Sequence, residues 1–476
     1  MTFERVDEVR NRIPRTARPG MKTDVVFYAG DALREAILKD RALEQAVNVA
    51  CLPGITGPSL AMPDIHQGYG FPIGGVAAMD WRHGVVSPGG VGYDINCGVR
   101  LVKTSLDVAG VRPRLRELVG RVFADVPCGV GGKGRVPLSE KQLDQVLLRG
   151  AAWAVEEGYG EAGDTERAEE RGCLREAGPE CVSARARERG RPQLGTLGSG
   201  NHFLEIQWVE RIEDGEAGRV FGLEEGQVVV LIHSGSRGLG HQVCTDFLQQ
   251  MGAAMKRYGI TLPDRQLACV PVQSEEGQSY LRAMRAAANF AWANRQVMMH
   301  LLRGSFAAVF GKGVRLSLLY DVCHNIAKRE KHRWEGREVD VLVHRKGATR
   351  AFPARHAEVP AEYRAVGQPV LVPGSMGTAS WVLAGREGAM RETFGSVCHG
   401  AGRRLSRNAA KAGRDARAVR EELERRGILV RTETRDGLLE EVPEAYKDVD
   451  EVIETVARAG LAGKVARLRP LGVIKG

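Results

Sequence analysis

Glycine clusters that separate short apolar runs are the feature that most constrains this fold. Gly supplies 59 of the 476 residues, well above ordinary usage. In the run VAAMDWRHGVVSPGGVGYDINCGVRLVKTSL each apolar stretch is short and is followed by turn-forming residues. Because glycine adopts backbone conformations that other residues avoid, the pattern predicts strands joined by tight turns and sites lined by backbone. Contents of 43% hydrophobic and 27% charged residues exclude a disordered, collagenous or coiled-coil chain.

The charge balance favours an anionic partner. Lys and Arg number 68 against 59 Asp and Glu, which gives a formal charge of +9. Such an excess is consistent with nucleic acid or nucleotide binding, although it is also an ordinary aid to solubility. The N-terminal run MTFERVDEVRNRIPR lacks the apolar core of a signal peptide, and no stretch approaches the ~20 apolar residues of a membrane span. We therefore expect a cytoplasmic protein with no membrane association.

The nine cysteines do not form a disulfide or zinc-ribbon pattern. Their number is odd and no CxxC occurs. Most of them are expected to be small buried hydrophobes. They are Cys51, Cys97, Cys128, Cys173, Cys181, Cys244, Cys269, Cys323 and Cys398.

The pattern of elements predicts one α+β domain over residues 1–476. Strands and turns dominate to about Asp107, and a charged helical excursion is expected at about 112–191. Strands return in HFLEIQWV and in VVVLIHSGS, of which the second has the continuous apolar character of a fully buried strand. Helices are expected from about Gly240 to Phe310, with aromatic and Met side chains in the core rather than in a cofactor site. No Pro-rich or Gly/Ser-rich linker separates independent domains.

The C-terminal part repeats this alternation of strands and helices. The runs VDVLVHRKGATRAF and QPVLVPGSMGTASWVL predict strands, and RNAAKAGRDARAVREELERRGI predicts a basic, polar helix. Within the earlier excursion, the stretch from Glu156 to Arg191 has few large apolar residues, so we expect a solvated helical segment that ends in the basic run ARARERGR. This basic run either is a hydrated surface or contacts RNA.

The sequence GYDINCG carries a candidate metal-binding pair. Asp94 and Cys97 lie three residues apart in a glycine-rich turn, so a hard oxygen and a soft sulfur can face one point. Such a pair suits Mn, Zn or Fe. The alternative is a buried cysteine beside a turn-forming aspartate.

Four histidines share the local context that a metal or catalytic site requires. Each lies where an apolar run meets glycine or small polar residues: His202 in GNHFLEI, His233 in VVLIHSGS, His324 in DVCHNIAK and His399 in SVCHGAGR. A single such histidine is more often structural, but four of them together with Asp94 and Cys97 favour a metal site assembled from distant segments. His66, in PDIHQGYG, is expected in the outer shell of that site. The histidines without this context are expected to be structural: His83, His241, His300, His332, His344 and His356.

Two glycine-rich loops are candidates for phosphate binding. These are GSMGTAS, from Gly374 to Ser380, and HGAGR, from His399 to Arg403. Unhindered backbone amides can approach phosphate oxygens, and an arginine adds a forked cation. Neither loop is a Walker motif, and a turn without a ligand is the alternative.

Eight runs in the chain together resemble the RtcB family of GTP-dependent RNA ligases. They occur in the family's order, and the resemblance covers essentially the whole chain. The runs are PDIHQGYGFPIGG, GYDINCGVR, LGSGNHFLE, HSGSRGLGH, DVCHNIAK, VPGSMGTAS, CHGAGR and PLGVIKG. The resemblance implies a single large RtcB-like domain in which mixed strand layers surround a central metal site.

The resemblance implies two Mn²⁺ ions in each chain. Cys97 would bridge the ions, with Asp94 and His202 on one and His233 and His324 on the other. His399 would be the nucleophile that accepts GMP from GTP. The remaining positions that the resemblance assigns to GTP are Asn201, Glu205, Gly374, Ser375, Met376, Gly377, Thr378, Ser380, Gly400, Ala401, Gly402 and Lys475, with Glu205 and Lys475 towards the guanine. Arg237 and Arg403 are the candidates for contact with RNA phosphates.

The activity implied is the joining of RNA 2′,3′-cyclic phosphate or 3′-phosphate ends to 5′-hydroxyl ends, in tRNA splicing or RNA repair. His399 would form a phosphoramidate with GMP, and the GMP would then activate the RNA 3′-phosphate. The partners implied are RNA, such as tRNA halves, GTP and an archease activator, and we expect a monomer. Two alternatives remain at this point: a two-metal phosphohydrolase or nuclease acting on RNA ends, and a non-catalytic RNA-binding protein with a structural metal.

Overall fold

Apolar runs become the strands of two large sheets in the computed structural model, which describes residues 2–476. The strands are β1 (Glu4–Arg5), β2 (Arg10–Ile13), β3 (Val25–Tyr28), β4 (Ile55–His66), β5 (Ile73–Asp80), β6 (Val85–Val86), β7 (Gly98–Asp107), β8 (Phe203–Ile212), β9 (Gln227–Ser234), β10 (Val270–Pro271), β11 (Leu316–Cys323), β12 (Asn325–Trp334), β13 (Arg337–Lys346), β14 (Ala348–Arg350), β15 (Pro369–Val372), β16 (Ser380–Gly385), β17 (Ser396–Cys398), β18 (Leu429–Thr432) and β19 (Ala462–Lys475).

Helices cover the sheets and fill the space between them. They are α1 (Asp31–Lys39), α2 (Ala42–Val49), α3 (Val108–Val111), α4 (Leu115–Asp125), α5 (Glu140–Arg149), α6 (Ala151–Glu156), α7 (Ala184–Gly190), α8 (Gly215–Phe221), α9 (Arg237–Ala254), α10 (Glu275–Phe310), α11 (Glu387–Glu392), α12 (Arg407–Lys411), α13 (Ala416–Arg425), α14 (Arg435–Glu440) and α15 (Val449–Arg458). The longest, α10, is buried along most of its length, which confirms that its aromatic and Met side chains belong to the core.

The two sheets are largely antiparallel. One has the strand order β1-β2-β3-β4-β5-β13-β12, and the other has the order β11-β7-β9-β8-β19-β16-β15, with β18 parallel to β19. A separate two-stranded ribbon of β14 and β17 contacts β4 and β5 of the first sheet and β11 of the second. This arrangement confirms the predicted α+β class with mixed strand layers.

The second sheet is buried on both faces, which explains the continuous apolar run in β9. Val229 and Leu231 pack into a cluster on one face, while Val228, Val230 and Ile232 pack into a cluster on the other. Because side chains alternate between the faces of a strand, a sheet covered on both sides needs apolar residues at every position. The prediction of a fully buried strand at VVVLI is confirmed.

Some element predictions were wrong. The first hundred residues hold α1 and α2 as well as strands, and the C-terminal basic helix is two helices, α12 and α13, separated near Gly413, whose φ is +71°. Between residues 157 and 183 the predicted solvated helix is replaced by three single-turn 3₁₀ helices.

This charged stretch is anchored by buried ion pairs. Asp164 binds Arg303 at 2.7 Å, and Glu169 binds Lys328 at 2.5 Å. Both carboxylates are almost fully buried. These two acidic residues of a stretch expected to be hydrated therefore point inward, where basic side chains pair with them.

All nine cysteines are free thiols and six of them are buried, as predicted. Over residues 2–476, no helix combines the length and apolar character needed to cross a membrane.

Candidate active site

The strand register of the second sheet places four predicted ligand segments at one end of that sheet. Gly98, at the start of β7, pairs with Ser234 on β9 and with Cys323 on β11. Phe203, at the start of β8, pairs with His233. Neighbouring strands run in opposite directions, so the start of β7 or β8 lies beside the end of β9 or β11. Residues at these strand ends, or next to them in the chain, therefore lie close together although they are far apart in the sequence.

The turn before β7 directs both Asp94 and Cys97 towards this point. Asn96 adopts a left-handed backbone conformation with φ +52°, and its side chain donates to the carbonyl of Ala288 at 2.7 Å. One Asp94 oxygen, Oδ1, accepts from the amide of Ser236 at 3.0 Å. A Cβ at Gly235 would lie 2.4 Å from that oxygen, so the close approach requires glycine there.

Cys97 lies at the centre of the cluster. Its Sγ is 3.3 Å from Nε2 of His202 and 3.2 Å from Nε2 of His233. The donor atoms of these three residues all lie within 4.8 Å of one another. On one side, Nε2 of His202 is 2.8 Å from Oδ2 of Asp94, and on the other, Nε2 of His233 is 3.3 Å from Nε2 of His324.

The electrostatics favour neutral imidazoles and a protonated thiol in the protein alone. Burial lowers the pKa of His202 and lowers those of His233 and His324 further. Burial, followed by the charge of Asp94, raises the pKa of the Cys97 thiol well above its usual value. A cation beside Sγ would reverse that effect and favour the thiolate.

One donor atom of the cluster has no hydrogen-bond partner, which fits a metal site. This atom is the buried Oδ2 of Asp94, which lies 2.8 Å from Nε2 of His202. One sulfur, one carboxylate oxygen and three imidazole nitrogens facing each other are a suitable donor set for a divalent transition metal. The chain therefore has a candidate metal site that contains Cys97, His202 and His233, with Asp94 and His324 adjoining it.

Arg295 braces the ligand segments, and sequence reasoning missed it. Its buried guanidinium donates to the carbonyls of Asn96 at 2.8 Å and Ser234 at 2.9 Å, next to Cys97 and His233. It also forms a bidentate pair with Asp321 on β11, the strand that leads to His324. In the sequence, Arg295 is one of many polar residues in a long helix, so no local signal distinguishes it.

His399 follows β17 and is oriented by a carboxylate that the sequence analysis did not assign. Its Nδ1 donates to Oδ2 of Asp64 at 2.6 Å, and its backbone amide donates to the same oxygen at 3.0 Å. Burial would raise the pKa of Asp64, but the charge of His399 and these hydrogen bonds hold it below the usual value. The ring centroid of His399 is 4.8 Å from that of His324, so the histidine lies beside the candidate metal site.

Asp64 belongs to the run PDIHQGYG. The sequence marks this run as a motif but does not indicate that Asp64 orients His399. His66 in the same run lies near His399, with ring centroids 6.5 Å apart, and its Nδ1 donates to the Asp64 carbonyl. Burial lowers the pKa of His66 to about 3, so this ring is neutral. Its position agrees with the expected place outside the metal ligands.

A cavity of about 300 Å³ joins the metal cluster, His399 and most of the predicted GTP positions. Of the positions that the resemblance assigns to GTP, those that line the cavity are Asn201, Gly374, Ser375, Met376, His399, Gly400, Ala401, Gly402 and Lys475. Gly377 and Thr378 instead line an adjoining surface groove.

Glu205 and Ser380 lie behind the cavity wall. Gln207 links them by donating to Oε2 of Glu205 at 2.6 Å and to Oγ of Ser380 at 2.9 Å. Ser380 in turn accepts from the amide of Gly374, so it supports the loop. Burial raises the pKa of Glu205 to about 8, and the carboxyl is therefore largely protonated at neutral pH.

Lys475 meets one residue of the LGSGNHFLE run and one residue that carried no motif signal, Glu441. Its Nζ donates to the carbonyl of Gly200 at 2.7 Å and is 3.3 Å from Oε2 of Glu441. Glu441 also binds Arg403 at 3.0 Å, and the Arg403 guanidinium stacks over the ring of Tyr446. Arg403 therefore lines the cavity, but its guanidinium nitrogens already donate hydrogen bonds to other protein groups.

Arg237, the other candidate for RNA contact, lies behind a predicted ligand. Its Nη1 is 2.7 Å from Nδ1 of His202.

The histidines expected to be structural include His332, which pairs with Glu330, and His344, which accepts from the amide of Ser87.

Comparison with known proteins gives consistent matches along the chain. Residues 45–476 match the family model described as tRNA-splicing ligase RtcB. The tRNA-splicing ligase RtcB of Thermococcus kodakarensis is 57% identical over 477 residues, covering 100% of this chain and 99% of the relative. The proteins of the same name from Archaeoglobus fulgidus and Pyrobaculum aerophilum are each 55% identical, covering 100% and 98% of this chain and 99% and 97% of the relatives, respectively.

Proposed function

This chain belongs to the RtcB family of tRNA-splicing ligases, and from that premise we propose that it joins RNA ends through a GMP group carried on His399. The family and its named relatives support RNA ligation in tRNA splicing. The use of GTP and Mn²⁺, and the roles of individual residues, are the finer parts of this proposal.

The observation that carries the proposal is the pairing of His399 with Asp64 inside the cavity. A neutral histidine that donates from Nδ1 to a carboxylate keeps a lone pair at Nε2. Such a nitrogen is a suitable nucleophile, and the carboxylate stabilises the positive charge that develops on the ring during attack. Asp64 is therefore a positioning residue for His399.

In the first step, Nε2 of His399 attacks the α-phosphorus of GTP. A P–N bond forms, the bond from that phosphorus to the bridging oxygen breaks, and pyrophosphate leaves with the electron pair. In the second step an oxygen of the RNA 3′-phosphate displaces the imidazole from that phosphorus, so the GMP moves to the RNA. The 5′-hydroxyl of the other RNA end then attacks the RNA phosphorus, loses its proton and releases GMP.

Two divalent cations, proposed to be Mn²⁺, fit the cluster around Cys97. Asp94, Cys97 and His202 would hold one ion, and Cys97, His233 and His324 the other; the short approaches of His202 to Asp94 and of His233 to His324 support this division. Bound cations would offset the negative charge of the phosphates and polarise their P–O bonds. The same donors also suit zinc.

The nucleotide would occupy the part of the cavity near Lys475. The loop from Gly374 to Met376 exposes backbone there, and Lys475 with Glu441 offers a charged pair to a polar base. Asn201 lines the same wall. Glu205 does not line the cavity, so it would contact the nucleotide only after its side chain shifts, or would influence binding through Lys475. Dependence on an archease activator and a monomeric state remain predictions.

Transfer of label from GTP to the protein tests this function. Incubation with Mn²⁺ and α-³²P-labelled GTP should give a protein-bound label that is released by acid, and His399→Ala should abolish it. His83→Ala, at an exposed histidine outside the cavity, is the matched control and should label normally. Absence of label on the natural protein across divalent metals would contradict the proposal.

A second assay separates ligation from hydrolysis. An RNA with a 3′-phosphate and an RNA with a 5′-hydroxyl are offered together with GTP. A joined product supports the ligase, whereas release of inorganic phosphate without joining supports a phosphohydrolase.

A further inference from the structure

A group of aromatic side chains lines the cavity on the side of Asp94, and the proposed chemistry does not use it. Tyr69 and Tyr93 both line the cavity, with ring centroids 5.4 Å apart. The ring of His241 stacks on Tyr93 with centroids 4.8 Å apart and planes 26° from parallel. Tyr93 directly precedes Asp94, and His241 follows Arg237 by one helical turn on α9. We refer to Tyr69, Tyr93 and His241 as the aromatic cluster.

Tyr69 is exposed although its backbone is tightly held. The residue is 37% exposed, which places it among the few large apolar side chains that face solvent. Its carbonyl accepts from Nζ of the buried Lys346 at 2.7 Å. On either side, Gly68 exchanges two hydrogen bonds with Gln45, and the amide of Gly70 donates to Gln266 at 2.9 Å.

This combination indicates an organised binding surface. A tyrosine that is merely solvated needs no such support from three separate segments of the chain. A ring that lines a cavity on a fixed backbone, packed edge-on against Tyr93, loses little conformational freedom when a flat ligand stacks on it. Among the exposed large residues, Tyr258 provides the contrast, because Arg257 and Glu276 already engage its ring and hydroxyl.

We propose that the aromatic cluster binds, by stacking on Tyr69, the terminal nucleobase of one of the RNA strands being joined. This inference rests on the proposed function, since the ligand is an RNA end. None of the residues assigned to GTP belongs to the aromatic cluster, so this surface of the same cavity is available to the second substrate. Nucleobases of any sequence present a flat π-face, and aromatic side chains recognise single-stranded ends in this way.

The stacking also provides a reason for the anchored loop. A terminal base fixed on Tyr69 limits the rotation of the attached sugar, which positions the terminal phosphate or hydroxyl relative to His399 and the metal cluster. Effective orientation of reacting groups contributes strongly to rate, so the surface would position substrate rather than take part in bond formation.

Fluorescent RNA ends test this proposal directly. One RNA carries 2-aminopurine at the nucleotide with the 3′-phosphate, and another carries it at the nucleotide with the 5′-hydroxyl. Binding to the natural protein should quench one of the two probes, which identifies the strand that the cluster holds. Tyr69→Leu should remove most of that quenching and raise the RNA Kd by about tenfold, whereas Tyr69→Phe, which keeps the ring, should restore both.

A control variant and a separate ligation assay distinguish failure of this inference from failure of the proposed function. Tyr258→Leu removes a tyrosine of similar exposure, 38%, that does not line the cavity, and this variant should bind RNA as the natural protein does. Ligation is then followed on protein already loaded with GMP, where Tyr69→Leu should raise the KM for RNA more than it lowers kcat. Equal quenching and equal KM in Tyr69→Leu and the natural protein would overturn the inference, as would the absence of quenching at both ends. If the natural protein joins no RNA, the proposed function itself has failed.

Discussion

At the scale of single residues, Asp64 shows that the site depends on a residue whose motif was marked but whose role was not predicted. Its Oδ2 accepts from the ring of His399, from the amide of His399 and from the amide of Gly400. One carboxylate oxygen therefore fixes both the backbone and the tautomer of the proposed nucleophile. The residues are 335 positions apart in the chain, so only the fold brings them together.

We expect Asp64→Asn to slow transfer of GMP to His399 by on the order of 100-fold. The amide cannot stabilise a positively charged imidazole, and one of its orientations would place an N–H against the donors of His399. The rate of label uptake from α-labelled GTP measures the effect. Asp164→Asn is a control of similar burial whose partner, Arg303, lies outside the cavity lining, and it should label at the natural rate. Equal rates for Asp64→Asn and the natural protein would show that Asp64 has no part in catalysis.

At the scale of elements, the ends of β7, β8, β9 and β11 bring together the residues of the candidate metal site. The sequence predicted the strands at β8 and β9, because both runs are apolar and rich in β-branched residues. It also marked the ligands, since each histidine lies where such a run meets small residues. The register that sets His233 opposite Phe203 depends on strand pairing and could not be obtained from the sequence.

The helices α1 and α2 were missed for a physical reason. They are nine and eight residues long, and neither has a side-chain hydrogen bond from its N-cap residue, Gly30 or Arg41. Short helices without such caps gain little stability alone. Their stability comes from burial, because Leu33 and Ile37 of α1 and Val47 of α2 pack into the core beside the first sheet.

The long helix α10 contributes a prediction at this scale, because Arg295 ties the ligand segments together. Arg295→Lys keeps a positive charge, but a single ammonium cannot hold the Asn96 and Ser234 carbonyls, which both accept from Nη1, and also pair with Asp321 as Nε and Nη2 of the guanidinium do. We expect divalent-metal affinity to fall about 10- to 100-fold. A titration with Co²⁺, followed by the absorption of the thiolate–metal bond, measures this affinity without any assay of activity.

The control for this change is on the same helix. Arg303→Lys alters a similarly paired arginine that donates to Asp164 rather than to a ligand segment, so its Co²⁺ affinity should be unchanged. Circular dichroism of both variants checks that the fold is retained. An unchanged affinity in Arg295→Lys would mean that the ligand segments hold their positions without the brace.

At the scale of the whole molecule, the site joins parts of the chain that are otherwise far apart. The ligands span positions 94 to 324, and His399 is reached from a separate ribbon. The pattern of elements predicted the α+β class, and the motifs marked the residues that are proposed as metal ligands. They could not predict which of the remaining polar residues, such as Glu441 and Tyr446, would line the cavity, because those positions are set by packing alone.

Because the ligands come from such distant segments, metal binding should stabilise the entire fold. The unfolded chain cannot present these donors together, so a metal at 100 times its Kd should add about 2.7 kcal/mol to the free energy of unfolding. Thermal unfolding with Mn²⁺ and with a chelator measures this as a rise in Tm of a few degrees.

The stabilisation should depend on pH in a definite direction. Burial and the charge of Asp94 raise the pKa of the Cys97 thiol, so metal binding must displace its proton, and affinity should increase with pH. The metal-dependent rise in Tm should therefore be larger at pH 8 than at pH 6. Cys97→Ser should lose most of the rise at both values, while Cys181→Ser, at a thiol outside the cluster, should retain it. A rise that persists in Cys97→Ser would show that the stabilising metal binds elsewhere.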